Sequence, residues 1–156
     1  MQAGRYDEAI SQLQKTLEID PTFYPAHYNL GVALQLKRDF SGAIAEYTKG
    51  QELSDDLEFP VMLATAKAQS GDKSAATHML SDLEKLGKHH YAGGAYWRAL
   101  LCLSLGNRDE AIRWLEQSVA DPAGSDIVWI KVFHFLDPLR GNPRFEALVQ
   151  KVVGPK

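Results

Sequence analysis

The sequence predicts an all-α fold in which short helices pair into hairpins that stack on one another. Three observations support this prediction: one turn-and-alanine pattern recurs four times, apolar residues between the turns recur at helical spacing, and 45% of the 156 residues are apolar. That apolar content can supply a continuous core, so the chain is expected to be folded rather than disordered.

The recurring pattern is a turn residue followed five positions later by alanine. The turn residues are Gly4, Arg38, Gly71 and Gly106, spaced 34, 33 and 35 residues apart, and the alanines are Ala9, Ala43, Ala76 and Ala111. A period of this length is typical of arrays of helical hairpins. Small side chains let two helix backbones approach closely, and enlarging one of them is expected to destabilise the fold by ~1–3 kcal/mol.

Amphipathic helices are predicted between these turns, because apolar residues recur there every three or four positions. The helices, in chain order, are Tyr6–Ile19, Tyr24–Lys37, Phe40–Leu53, Phe59–Ser70, Ser74–Leu86, Ala92–Leu105 and Arg108–Val119. Gly71-Asp72 and Gly106-Asn107 each offer a left-handed helix end followed by a side chain that can cap the next helix.

The composition changes after residue 121. Asp121–Ser125 reads as a turn, and the apolar stretch Ile127–Leu136 follows it. Its β-branched residues make a strand possible, but a helix is preferred because the stretch stands where the first helix of a further hairpin belongs. Asn142-Pro143 then offers an N-cap and a proline at the first helical position before a last helix, Phe145–Val152. This final helix pair is expected to close the stack.

The repeated units resemble the tetratricopeptide repeat, a helix–turn–helix unit with an L-G pair, a later A-x3-F pattern and a proline. The second unit matches best, through Leu30-Gly31, Ala43 and Tyr47. The resemblance covers about residues 3 to 121 and implies a right-handed α-solenoid with a C-terminal capping helix pair. The chain then forms a single domain with a half repeat at 1–21, repeats at 22–56, 57–90 and 91–121, and capping helices at 125–153.

The segment Leu136–Leu148 resembles the C-terminal ending of many large bacterial regulators, in which a winged-helix, kinase or cyclase domain precedes a repeat array. This resemblance implies that the chain is the scaffold or sensor part of such a regulator. Met1 falls inside a repeat, so the first hairpin is predicted to lack its first helix.

Charge and composition exclude several classes of function. The formal charge of −3 is too near balance for a nucleic-acid binder. No stretch reaches the ~20 apolar residues of a membrane span, and no secretory signal is present, so a cytoplasmic location is expected.

No catalytic residue, metal site or cofactor is predicted. Gly71–Ser74 matches the end of a phosphate-binding loop, but an acid separates Gly71 from Lys73 and a turn is the better interpretation. His89 and His90 are adjacent rather than three or four residues apart, which is typical of a solvated loop. His78 and Asp82 could hold a metal but more often form a surface hydrogen bond, and Cys102 is expected to pack in the core.

The predicted activity is therefore protein binding without catalysis. In the family that the sequence resembles, the first helix of each hairpin lines a concave groove. The positions that this resemblance assigns to the groove are Tyr28, Asn29, Val32, Gln35, Val61, Met62, Thr65, Tyr96, Trp97 and Leu100. Some family members bind a terminal carboxylate through Lys, Asn and Arg at these places, and only Asn29 matches here. We therefore expect an apolar, aromatic groove for an extended segment or an amphipathic helix, with packing between repeats as the alternative role of Tyr96 and Trp97.

Self-association is the second hypothesis. A first helix without its hairpin partner would expose an apolar strip that needs to be covered. The strip consists of Tyr6, Ile10, Leu13 and Leu17. A homodimer formed through this helix would cover it.

Overall fold

The computed structural model describes residues 2–86, 94–120, 130 and 133–154. Within these ranges the secondary structure consists of α-helices and a 3₁₀ helix, with no β-strand, so the predicted all-α fold class is confirmed. The helices are α1 (Gln2–Ile19), α2 (Tyr24–Leu36), α3 (Phe40–Leu53), α4 (Glu58–Ser70), α5 (Lys73–Lys85), α6 (Gly94–Ser104), α7 (Arg108–Ala120), the 3₁₀ helix (His134–Leu139) and α8 (Pro143–Val153). The chain divides into two compact units, Met1–Asp72 and Lys73–Lys156.

The predicted stretch Ile127–Leu136 lies mostly outside the described residues. Its described end belongs to the 3₁₀ helix, which runs through Pro138 instead of ending before it. The amides of Leu136 and Arg140 donate to the carbonyls of Phe133 and Asp137. The missing N–H of proline therefore removes a single bond from a short helix, which a 3₁₀ turn tolerates.

In the first unit, consecutive helices pack on one another: α1 on α2, α2 on α3 and α3 on α4. Two glycines permit close approach. A Cβ placed on Gly31 of α2 would lie 2.5 Å from the Tyr47 ring of α3, and one placed on Gly50 would overlap the Phe59 ring of α4. Both aromatic rings are fully buried, so the glycines allow them to rest directly against a helix backbone.

In the second unit, α6 packs between α5 and α7, while the 3₁₀ helix and α8 close the end against α7. Ala99, Ala111 and Leu115 are fully buried between α6 and α7. Arg144 of α8 makes a two-pronged ion pair with Glu116 of α7, at 3.0 Å from Nε to Oε1 and 2.7 Å from Nη2 to Oε2. The second unit therefore combines an apolar centre with an ionic tie at its surface.

Three turns between helices share one hydrogen-bond pattern. The turn residues Arg38, Gly71 and Gly106 all have positive φ, at 66°, 121° and 87°. The amide of the following residue donates at 2.9 Å to the carbonyl five positions back: Asp39 to Leu34, Asp72 to Lys67 and Asn107 to Cys102. This is a Schellman motif, which ends a helix by satisfying its last carbonyls with backbone donors. The recurring turn of the sequence is thus a recurring backbone geometry.

Candidate functional site

The residues predicted to line the groove lie on α2, α4 and α6, and most of them face the interior. Seven are 5% exposed or less, and two of the others, Tyr28 and Val32, are half-buried. Asn29 is exposed. The buried members are Gln35, Val61, Met62, Thr65, Tyr96, Trp97 and Leu100. In this structure a partner could touch Tyr28, Asn29 and Val32 of the predicted set, all on α2.

Gln35 joins three helices through its side-chain amide. Its Nε2 donates to Thr65 Oγ1 at 3.2 Å and to Gln69 Oε1 at 2.9 Å, both on α4. Its Oε1 accepts a 2.9 Å hydrogen bond from the Tyr47 hydroxyl on α3. Burial raises the pKa of Tyr47 well above its ordinary value, so the hydroxyl remains a donor. Gln35 is therefore a buried cross-link within the first unit.

Tyr96 packs against Trp97 and against a residue outside the repeat pattern. The ring centroids of Tyr96 and Trp97 are 5.2 Å apart, and the Tyr96 ring lies 5.8 Å from that of Phe133, just before the 3₁₀ helix. Each of the two α6 side chains is 5% exposed. The burial favours the packing role that the sequence left open for both residues.

An open face remains along α2. Pro25, Tyr28, Val32 and Leu36 are half-buried there and Asn29 is exposed, and we call these five residues the α2 face. Their spacing places them on one side of the helix. Pro25 and Leu36 were not predicted as site residues, although they continue the helical spacing of Asn29 and Val32.

Buried aromatic rings support the α2 face from below. The Tyr28 ring lies 6.2 Å from Tyr47 and meets Phe59 edge-on at 5.8 Å. Phe59 also meets Tyr24, which is 40% exposed at the start of α2. Asn29 Nδ2 donates to the Pro25 carbonyl at 2.8 Å, which fixes the amide orientation. The face thus presents apolar and polar groups that are already held in place.

The loop before α2 is tied down by His27. This buried side chain lies 2.9 Å from the Pro21 carbonyl through Nε2 and 2.7 Å from Glu46 Oε2 of α3 through Nδ1. Both ring nitrogens are satisfied within the chain. His27 therefore positions the entrance to α2 and is not free to act on a ligand.

Each residue of the strip predicted for self-association is partly buried and partly exposed. Tyr6, Ile10, Leu13 and Leu17 are all half-buried on α1, which packs on α2. Ile19, at the end of α1, is 87% exposed. α2 therefore covers part of the strip and leaves the rest accessible.

The other residues considered for catalysis, metal binding or phosphate binding lie in ordinary structural positions where the structure describes them. Cys102 is buried, which raises the pKa of its thiol to about 11. His78 and Asp82 are exposed on α5, and Asp82 accepts from Lys85 at 2.9 Å. Gly71 forms the turn described above, and Lys73 begins α5. His89 and His90 lie outside the described residues.

Neither a metal-binding group of side chains nor a helix able to span a membrane occurs among the described residues. No group of three or more His, Cys, Asp or Glu side chains there is placed to hold a metal ion. None of the helices described combines the length and apolar character that crossing a membrane would require.

Comparison with known families agrees with the repeat geometry. A family model described as TPR repeat matches residues 1–37, and a second one described as Tetratricopeptide repeat matches residues 61–126. No curated protein matches the chain. Helix α3 lies between the two matched segments, and its turn, its buried Ala43 and its contact with α2 repeat the geometry of the matched hairpins. The chain belongs to the tetratricopeptide repeat family.

Proposed function

We propose that this chain binds a segment of a partner protein through the α2 face. Tetratricopeptide repeats are generally non-catalytic scaffolds that mediate contacts between proteins. The observation that carries the proposal is the row of accessible residues on α2, supported by the buried rings of Tyr47 and Phe59.

The chemistry of the α2 face fits a peptide that is partly apolar. Tyr28, Val32 and Leu36 offer apolar surface to a partner's side chains. Asn29 Oδ1 accepts no hydrogen bond from the described residues, so it is available to a backbone N–H of an extended segment or to a polar side chain of an amphipathic helix. Because the rings below are already packed, binding orders few side chains, which favours affinity.

The test uses a displayed peptide library selected on the wild-type chain. Selected peptides are expected to bind with dissociation constants on the order of micromolar, because the accessible apolar surface is small. Asn29→Arg places a long charged side chain on an exposed position of the face and is expected to weaken binding about tenfold or more.

The matched control is Gln51→Arg, which adds the same side chain at an exposed position of α3. This variant should bind the selected peptides as the wild type does, and circular dichroism should show equal helicity for both variants. Equal affinity of all three proteins would reject the α2 face as the binding surface.

Self-association through α1 is a second candidate, favoured by the half-exposed strip and by Ile19. Sedimentation of the wild type and of Ile19→Asp at several concentrations tests it. A dimer that weakens in the variant supports the candidate, and a strict monomer rejects it.

We also propose a setting for this module, at the C-terminal end of a larger bacterial regulator. The resemblance of residues 136–148 to the endings of such proteins supports this setting, and the reading frame upstream of Met1 tests it.

A further inference from the structure

Three large apolar side chains are exposed at one end of the first unit. Phe23 and Tyr24 stand at the start of α2, and Leu53 is the last residue of α3; each is 40% exposed or more. Phe59, at the start of α4, brings these segments together, because its ring meets Tyr24 edge-on at 6.2 Å and rests on Gly50 in the last turn of α3. Exposed apolar side chains grouped in this way indicate an interaction surface.

Carboxylates flank these three side chains in the sequence. The stretches 16–36 and 50–66 contain six acidic residues and no lysine or arginine, so the negative charge of the chain is concentrated there. The six acids are all exposed: Glu18, Asp20, Glu52, Asp55, Asp56 and Glu58. We call Phe23, Tyr24 and Leu53 together with these six acids the acidic end.

Local structure explains some of these acids but not all of them. Asp20 accepts hydrogen bonds from the amide and the hydroxyl of Thr22. Glu18 and Glu52, however, stand in the last turns of α1 and α3, where the helix dipole disfavours a negative charge. Neither glutamate forms an ion pair within the described part of the chain. A positive charge brought from outside would therefore be stabilised by both carboxylates and both helix ends.

We propose that the acidic end binds a segment of a partner protein that carries lysine or arginine beside apolar side chains, as a basic amphipathic helix does. The apolar side chains would pack on Phe23, Tyr24 and Leu53, and the cations would lie near the carboxylates. The same negative charges would repel a nucleic acid or an anionic membrane. No residue of the acidic end belongs to the α2 face.

The position of the acidic end keeps it open in a longer array. Hairpins of this kind stack through the sides of their helices, so helix ends lie at the edge of the stack. A neighbouring hairpin on either side would therefore leave the acidic end accessible.

The probe is a fluorescently labelled synthetic helix of about 14 residues, with leucines on one side and lysines on the other. Fluorescence anisotropy should show saturable binding to the full chain, with a dissociation constant on the order of 10 µM. The same peptide with glutamate in place of each lysine should not bind. Equal binding of the two peptides, or no binding of the lysine peptide at about 100 µM, would overturn the proposal.

Glu52→Lys and Glu84→Lys form a matched pair of variants. Each exposed glutamate is the next-to-last residue of its helix, α3 or α5, but only Glu52 belongs to the acidic end. Glu52→Lys is expected to weaken binding about tenfold or more, and Glu84→Lys less than about twofold. Lysine is favoured in the last turn of a helix, so both variants should keep the wild-type circular dichroism. Equal weakening would show that net charge alone attracts the peptide and would overturn the proposal.

Phe23→Ser tests the apolar part of the acidic end. Phe23 is the N-cap residue of α2, a position that serine favours, so the variant should keep the start of the helix. Binding should weaken about fivefold. Leu86→Ser removes a side chain of similar exposure just after α5 and should bind like the wild type. Equal affinity of these two variants for the peptide would contradict the proposed packing.

Sedimentation of the peptide-free chain tests the other occupant. A monomer leaves the surface free for a partner and supports the proposal. A dimer that Glu52→Lys abolishes would show that a second copy covers the acidic end and would overturn it. Because the peptide is chosen by its charge and not by selection on the α2 face, either proposal can fail while the other holds.

Discussion

Arg38 holds a backbone conformation that its side chain disfavours. Its φ is 66°, at the turn position that glycine occupies in Gly71 and Gly106. A left-handed conformation costs a residue with a Cβ ~1–2 kcal/mol. The Arg38 guanidinium lies 5.7 Å from the centre of the Phe40 ring, a contact that offsets part of this cost.

We therefore expect Arg38→Gly to raise the free energy of unfolding by up to about 1 kcal/mol, since glycine relieves the strain but loses more entropy on folding. Arg38→Ala keeps the Cβ and loses the ring contact, so it should lower stability. Urea denaturation of the three proteins measures both changes. A stability order with alanine above glycine would contradict the strain argument.

At the scale of helices, Gln35 connects α2 to α3 and α4. Gln35→Leu leaves the Tyr47 hydroxyl without its acceptor and the α4 side chains without their donor. A buried polar group that loses its partner costs ~1–3 kcal/mol, so the variant should be less stable by about that amount. Gln14→Leu, at an exposed position of α1, is the control and should change stability little. A normal unfolding curve with altered peptide binding would instead assign Gln35 to the binding surface.

The stabilisation from the Arg144–Glu116 ion pair between α7 and α8 depends on pH. The hydrogen bond from Arg144 holds the pKa of Glu116 below its ordinary value of 4.5. Because the folded-state pKa is the lower one, the stabilisation is fully present above pH 4.5 and is lost as the pH falls through the folded-state pKa. Glu116→Gln should lower stability at neutral pH and have progressively less effect as the pH falls below 4.5. A loss of stability that stays the same from neutral to acidic pH would show that the ion pair does not contribute.

For the whole molecule, Cys102 is a single built-in probe of unfolding, as it is the only cysteine in the sequence. Burial raises its pKa to about 11, so the reactive thiolate is scarce at neutral pH. A disulfide reagent should label the native chain slowly and the urea-unfolded chain fast. Labelling at equal rates would show that α6 opens readily or that Cys102 is accessible in the native state.

Helix positions were predictable within the described part of the repeats because the signals are local. α3 begins and ends where the sequence predicts. Its start is fixed by Asp39, whose side chain caps the first turn by accepting a hydrogen bond from the Gly42 amide. The turns at Gly71 and Gly106 follow equally from residue type, as glycine adopts positive φ without strain. The boundaries of the individual repeats remain a prediction.

Side-chain burial was less predictable because it depends on residues far apart in sequence. Gln35 has groove spacing, yet its partners Thr65 and Gln69 lie 30 and 34 residues away and take it into the interior. Tyr96 is covered by Phe133, which no repeat position foretells. By contrast, Asn29 is exposed and Val32 is half-buried, at positions that the family resemblance assigned to the groove.

The three turns closed by backbone hydrogen bonds indicate which deletions this chain is expected to tolerate. Because backbone hydrogen bonds close each of the three turns, arginine and glycine at the turn position give the same hydrogen-bond pattern. Excising residues 38–70 would join Lys37 to Gly71, replacing one turn by another of the same pattern and removing one full period. Such a cut keeps the following helices in phase, whereas a cut a few residues longer or shorter would rotate every later helix away from its neighbour. We therefore expect the removal of a whole period to destabilise this protein less than the removal of a fraction of one.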